Sequence, residues 1–172
     1  GEGLDCRHQS DRTVDGGDIP SLFDDLSVLG QLATESSVWI VAATSPIVSV
    51  EQLWSGALPG ALAVAVGDIA EDSVETSVGA DLLGFEVAYV AGYRGSQDAL
   101  LGLLRGDVDL YSVSVGTALR FVDSGEARPI LQVADKPLAD HPALAGVPLL
   151  GGPDGLAARR AAELGRPVEA AV

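Results

Sequence analysis

The stretch FEVAYVAGYRGSQDALLGLLRGDVDLYSVSV, residues 85–115, holds one complete unit of the fold. Phe85 to Ala91 is an apolar and aromatic run, which predicts a buried strand. Ser96 is a suitable cap for a helix with one apolar face, and Gly106 predicts the end of that helix. Val108 to Val115 returns to strand composition. Residues 85–115 therefore predict a strand, a helix and a second strand.

The same alternation continues on both sides of this unit. Apolar runs predict further buried strands at 38–43, 61–66 and 129–133. Between them, Val74, Val78 and Leu82 recur every four residues and predict the apolar face of a helix. Further helices are expected at 116–124 and 156–164. Strands that alternate with helices predict an α/β fold, with a parallel-rich sheet flanked by helices.

Charge and composition exclude several classes of function. The chain has 172 residues and a formal net charge of −15, so a nucleic-acid partner and an anionic membrane surface are not expected. No run of residues is long and apolar enough for direct membrane insertion. One cysteine and two histidines are a poor basis for a metal site, and nothing in the sequence indicates a cofactor.

Ligands of open parallel sheets bind beyond the carboxyl ends of the strands. The loop of Gly92, Tyr93, Arg94, Gly95 and Ser96 is one candidate. Its glycines allow a sharp turn, the following helix offers free N–H groups, and Arg94 offers a cation for a carboxylate. The alternative is that the glycines only serve the turn, Ser96 only caps the helix and Arg94 is solvated.

Two more loops qualify by the same rule. The loop from Gly67 to Ser73 includes Asp68 and two further acids, which would repel an anion and favour a cationic or amphoteric ligand. Its alternative interpretation is simple helix capping. Ser112, Ser114 and Thr117 bring hydroxyls to the end of the 108–115 strand. These hydroxyls either orient a polar ligand or form the wetter face of the strand.

Enzyme chemistry finds little support in the sequence. No GxSxG elbow, phosphate-binding Walker loop or HExxH motif is present. Carboxylates are numerous, but their number alone does not make an acid–base site. We therefore expect a binding protein without catalytic residues.

Four segments, in order, resemble the receptors of tripartite tricarboxylate transporters, also called Bug proteins. The Tyr-centred loop at 92–96 and the following helix with Arg105-Gly106-Asp107-Val108-Asp109 are the strongest of these. Ser45-Pro46-Ile47 with Val50 to Leu53 is similar to a second family segment. Residues 124–132 and 142–149 are similar to two more. The resemblance extends from about Leu29 to Gly152.

The resemblance implies a periplasmic-binding fold of type II, with one lobe largely complete plus parts of the other. It divides the chain into residues 1–44 (partial first lobe and crossover strand), 45–126 (second lobe) and 127–172 (return strand and partial first lobe). The family's loop equivalent to Gly67–Ser73 is usually rich in Gly and Ser, whereas this chain carries acids there.

The function implied by the resemblance is capture of a small carboxylated metabolite in the periplasm or another extracytoplasmic space. The sequence pattern does not predict a leader within residues 1–172. The partners would then be the ligand and the membrane permease subunits that receive it. An alternative on the same fold is a ligand-sensing regulatory module that signals to a protein partner.

Overall fold

The computed structural model describes residues 36–55, 60–66, 72–138, 141–163 and 165. None of the helices in these ranges is long and apolar enough to cross a membrane. Short 3₁₀ turns occur at Val50–Leu53 and Pro142–Leu144. The regular elements are β1 (Ser37–Ala42), β2 (Leu62–Ala65), α1 (Asp72–Leu83), β3 (Val87–Val90), α2 (Ser96–Arg105), β4 (Tyr111–Ser114), α3 (Val115–Asp123), β5 (Ala127–Val133) and α4 (Leu156–Glu163).

The strands form two ladders that meet in the middle. β1 lies between β4 and β5, and β2 pairs with β3 in parallel. A parallel bridge between Val64 of β2 and Leu110, next to β4, joins the two ladders. The spatial order is therefore β3-β2-β4-β1-β5. A mixed α/β fold with a parallel-rich sheet is confirmed, because β2, β3, β4 and β5 all run in one direction.

The apolar run at 38–43 is typical of a buried parallel strand, but β1 is the exception to the common direction of the other strands. This strand runs antiparallel to both neighbours, with Ser37 opposite Ser114 on one side and Val133 on the other. The reason is that a fully buried strand presents a continuous apolar run in either direction. Residues 38–41 are completely buried, so their composition indicates depth in the sheet and not orientation.

Each face of the sheet has its own hydrophobic cluster, because side chains alternate along the strands. Trp39, Val41 and Val64 point to the face covered by α1 and α4. Val38, Ile40 and Ala65 point to the face covered by α2 and α3. The first helix after β2 therefore lies on one face, and the next two helices lie on the other.

The predicted apolar face of α1 is also wrong. Val74 and Val78 are 58% and 53% exposed, whereas Thr76, Ala80 and Leu83 are buried. The buried side of the helix contains small residues because it crosses the large ring of Trp39. A Cβ on Gly79 would lie 2.7 Å from Cζ2 of that ring. Close approach to Trp39, and not hydrophobic spacing, sets the orientation of α1.

Replacing Gly79 with Ala should lower the free energy of unfolding by about 2 kcal/mol. The added methyl would collide with a fully buried ring, and overpacking of this kind costs about 1–3 kcal/mol. The gain of about 1 kcal/mol in helix propensity offsets only part of this cost. Urea denaturation followed by circular dichroism measures the change.

Gly102→Ala is the matched control for this prediction. A Cβ there would lie 2.6 Å from the Tyr93 hydroxyl oxygen, a comparable collision inside a helix. Tyr93 is only half-buried on a surface loop, so its ring can swing away. We expect a change within about 1 kcal/mol, because the gain in helix propensity compensates. A larger loss for Gly102→Ala than for Gly79→Ala would contradict this packing account.

Candidate functional site

Three of the parallel strands end at one edge of the sheet. Ala65 of β2 is in register with Val90 of β3, and Val66 N–H donates to the Val90 carbonyl at 3.1 Å. The Val64–Leu110 bridge gives β4 the same direction. Neighbouring strands lie about 4.8 Å apart, so the ends of β3 and β4 are about 10 Å apart with β2 between them. We call this side the carboxyl edge.

The order of the strands predicts a ligand crevice at the carboxyl edge. The chain moves outward from β2 to β3 through α1, then back past β2 to β4 through α2. The helices that follow β2 and β4 consequently lie on opposite faces of the sheet. Loops that diverge in this way leave an opening between the strand ends. We call the opening between Val66 and Ser112–Thr117 the switch-point crevice.

The loop of Gly92 to Ser96 follows β3, one strand away from this crevice. Gly92 and Gly95 have φ of 106° and 126°, conformations that L-residues with a side chain rarely adopt. Ser96 was predicted to cap α2, but it does not. Gly95 is the N-cap residue, because its carbonyl oxygen accepts from the N–H groups of Asp98 and Ala99 at 3.1 Å each. Ser96 is the first helical residue.

The side chains of this loop have separate roles. Tyr93 packs over Gly102 of α2, so the fold accounts for this ring and this glycine without a ligand. Arg94 is exposed, and its backbone N–H donates to an Asp98 carboxylate oxygen at 3.2 Å. The guanidinium of Arg94 therefore projects from a loop that Asp98 holds in place.

The hydroxyls at the end of β4 lie at the switch-point crevice. Ser114 Oγ donates to Thr117 Oγ1 at 3.2 Å, and Arg120 Nη2 donates to the same oxygen at 3.5 Å. Ser112 Oγ donates to Oε1 of Glu75 at 2.5 Å. The structure thus brings Ser112, Ser114 and Thr117 together, on two short hydrogen-bond chains.

Glu75 is a crevice residue that sequence reasoning missed. It lies in the first turn of α1, and Ser37 Oγ at the start of β1 donates to its Oε2 at 2.7 Å. One carboxylate therefore joins α1, β1 and β4. The sequence carries no signal for this contact, because Ser37 and Glu75 are neighbours only through the antiparallel placement of β1.

The remaining predicted site residues are Gly67 and Asp68, which precede α1, and Ser73, which lies in its first turn. Gly67 and Asp68 lie outside the described residues. Ser73 is half-buried, and its carbonyl oxygen accepts from the Tyr89 hydroxyl at 3.1 Å. Tyr89 also shares a 2.5 Å hydrogen bond with Ser77 Oγ. These contacts tie the first turns of α1 to β3 beside the crevice.

A second opening lies at the opposite edge of the sheet. This cavity of about 220 Å³ is bounded by Ala42–Pro46 and by Leu103–Asp109. Two of its polar side chains, Arg105 and Asp109, are engaged within the fold. Asp109 Oδ2 accepts from Ala63 N–H at 2.9 Å, and Arg105 pairs with Asp107 at 3.0 Å. We therefore place the candidate site at the carboxyl edge, where the loops of several strands converge.

Metal binding has no structural basis in the described part of the chain. No group of three His, Cys, Asp or Glu side chains comes together there in a way that could hold an ion. The arrangement at the carboxyl edge instead offers hydroxyls, one carboxylate and the first-turn amides of α2 and α3. Such groups bind small polar ligands by hydrogen bonding.

Comparison with known proteins identifies the fold. No protein-family model and no curated protein sequence matches the chain. A solved TctC solute-binding protein from Polaromonas, without ligand, matches with a TM-score of 0.58 and 20% identity over 67% of this chain. An R. palustris protein with adipate matches with a TM-score of 0.55 and 27% identity over 66% of it. MatC from Rhodopseudomonas palustris, with bound malate, matches with a TM-score of 0.51 and 16% identity over 76% of it.

The matches cover only part of these larger proteins. They span 39% of the Polaromonas chain, 40% of the adipate-bound chain and 51% of MatC. This partial coverage fits one lobe of a type II periplasmic-binding fold. The structural neighbours come from the receptor family that the sequence resembles, and they are binding proteins. The chain therefore has the fold of one lobe of the TctC-type solute-binding proteins.

Proposed function

We propose that this chain is part of an extracytoplasmic receptor that captures a small carboxylated metabolite in the switch-point crevice. The observation that carries the proposal is the divergence of α1 and α3 to opposite faces beside the hydroxyls of Ser114 and Thr117. Two solved neighbours were obtained with adipate and with malate, which supports a carboxylate as the ligand class. No cofactor takes part.

The first turn of α3 supplies the donors in this proposal. The Val115 N–H already donates to the Ser36 carbonyl at 3.4 Å, so Gly116 and Thr117 are the next amides of the helix end. A Cβ on Gly116 would meet no atom within 4 Å, which leaves open space for a ligand against the backbone. The helix dipole favours an anion at this position. Ser96 and Gln97 at the start of α2 offer a second pair of amides.

Delivery to a membrane permease of the tripartite tricarboxylate type completes the proposed function. This step, like the extracytoplasmic location, rests on the receptor family of the structural neighbours. The division of the chain at residues 44 and 126 is part of the same proposal. In this division, β1 and β5 are the strands that link the two lobes. Both strands pair within the same sheet as β4.

Titration calorimetry with a panel of organic acids tests this function. We expect at least one of adipate, malate, citrate and aspartate to give a saturable heat with a dissociation constant below about 1 mM, or about −4 kcal/mol. The neutral diamide of the best ligand is the control. It should give no saturable heat, because the helix ends favour a negative charge. Absence of saturable heat with every acid would contradict the proposal.

A further inference from the structure

Glu75 has an unusual position for a carboxylate. It is half-buried at the switch-point crevice, and each of its two oxygens accepts from one hydroxyl, Ser37 on Oε2 and Ser112 on Oε1. These hydroxyls hold the side chain toward β1 and β4. Their donor hydrogens are therefore committed to Glu75 and are not available to the anion of a ligand.

No cation neutralises Glu75 within the described part of the chain. The ion pairs there are Arg105–Asp107, His141–Asp123 and Arg160–Glu163. A carboxylate has about four acceptor positions, and the two hydroxyls occupy two of them. Charged groups that leave water are normally paired, because desolvation of an isolated charge is costly. Glu75 thus has no counter-ion among the described residues and has room for another donor.

Two buried polar atoms between α1 and the sheet also lack partners among the described residues. They are Trp39 Nε1 and Thr76 Oγ1, on side chains that are each 0% exposed. Trp39 is directly opposite Ser112 in the antiparallel ladder, and Thr76 follows Glu75 in α1. Paired residues of this kind share one face of the sheet. The layer between α1 and the sheet therefore contains hydrogen-bonding capacity that the described part of the fold does not use.

We propose that Glu75 is a specificity-determining residue that binds a cationic group of the ligand. The substrate class is then an amphoteric carboxylate, such as an amino acid. Its carboxylate lies at the amides of Gly116 and Thr117, and its ammonium group donates to Glu75. A ligand that carries only carboxylates meets repulsion from Glu75. This inference rests on the proposed function, because it assigns a second contact in the same crevice.

L-aspartate and L-malate test the inference because they differ only by an ammonium group in place of a hydroxyl. We expect the wild-type chain to bind aspartate about tenfold more tightly or better in calorimetry, since hydrogen bonds to charged groups are the stronger ones. Glu75→Gln keeps the shape and removes the charge. This variant should bind aspartate more weakly and malate more tightly than the wild type does. The two affinities should then lie within about threefold of each other.

Glu51→Gln is the matched control. It removes the same charge from an exposed side chain in the 3₁₀ turn that follows β1, at the opposite edge, so the preference for aspartate should remain. If Glu75→Gln does not fold, Ser112→Ala replaces it, because loss of one holding hydroxyl should reduce the preference.

The outcomes separate this inference from the function on which it rests. If the wild type bound malate as tightly as aspartate, or more tightly, the inference would be overturned. The proposed function as a carboxylate receptor would still be supported. A preference that survives Glu75→Gln or Ser112→Ala would overturn it in the same way. No saturable heat with any acid of the panel would instead contradict the proposed function itself.

Discussion

Replacement of Trp39 by Ala should lower the free energy of unfolding by about 4 kcal/mol. Truncation of a buried tryptophan typically costs about 3–5 kcal/mol, from lost burial and from the cavity that remains. Trp39 is fully buried in β1, meets Phe85 edge-on with ring centroids 6.0 Å apart, and lies under Gly79. Denaturation in guanidinium chloride measures the loss, and a loss below about 1 kcal/mol would contradict the account of this core.

Trp39→Phe is the control that separates packing from hydrogen bonding. The indole N–H has no partner among the described residues, so its removal sacrifices no hydrogen bond. Phenylalanine also retains most of the apolar area. We expect Trp39→Phe to cost less than half as much as Trp39→Ala. Equal costs for the two variants would indicate that Nε1 has a partner of structural importance.

Gln132→Leu is the second substitution for which we expect a large effect, a loss of about 3 kcal/mol. The Gln132 side chain donates to the carbonyls of Leu144 at 3.1 Å and Val147 at 2.7 Å, and it accepts from Leu138 N–H at 2.7 Å. The residue is 2% exposed. Leucine has a similar size but leaves the Leu138 N–H and the Val147 carbonyl without these partners, at about 1 kcal/mol or more each. The Leu144 carbonyl loses one of two donors, because it still accepts from the Val147 N–H at 3.1 Å. Urea denaturation measures the loss.

Gln52→Leu is the matched control for Gln132→Leu. Oε1 of Gln52 also accepts from two backbone N–H groups, those of Val48 at 2.6 Å and Ser49 at 3.2 Å. Gln52 is half-exposed, so water can replace its side chain. We expect a cost below about 1 kcal/mol. Similar costs at both positions would show that burial does not decide the effect.

The order of strands and helices could be predicted from the sequence, but the direction of β1 could not. Glycines such as Gly106, with φ of 82°, mark helix ends through a local conformational need, and this signal lies within a few residues. The direction of β1 depends instead on which strands lie beside it. Residues 38–41 are all apolar and fully buried, so their pattern is the same for a strand that runs in either direction.

The orientation of α1 was mispredicted for a related reason. Val74 and Val78 have the spacing of an apolar helix face, yet both are exposed. The size of the side chain beneath the helix decides which face of α1 packs against the sheet. Trp39 fills the space under the helix, so Gly79 fits there and valine does not. A sequence shows hydrophobic spacing, but it does not show how large the opposing side chain is.

The candidate site was predictable in part. Ser112 and Ser114 lie in β4 and Thr117 follows it, so the rule for strand ends places them at the carboxyl edge. Glu75 and Ser37 were not predictable, because their hydrogen bond joins residues that are 38 positions apart. Recognising it requires the position of β1 next to β4. The contact that gives the crevice its negative charge therefore depends on the topology that the sequence left open.

Two-dimensional ¹H–¹⁵N NMR of the chain, titrated with adipate, malate and aspartate, tests the central claim most directly. The account predicts that at least one of these acids produces saturable shifts that are largest at Ser112–Thr117, and that Gly116→Ala weakens them by filling the open space above that residue. Shifts that never saturate would contradict the account, as would shifts that are largest around Leu103–Asp109 at the opposite edge of the sheet.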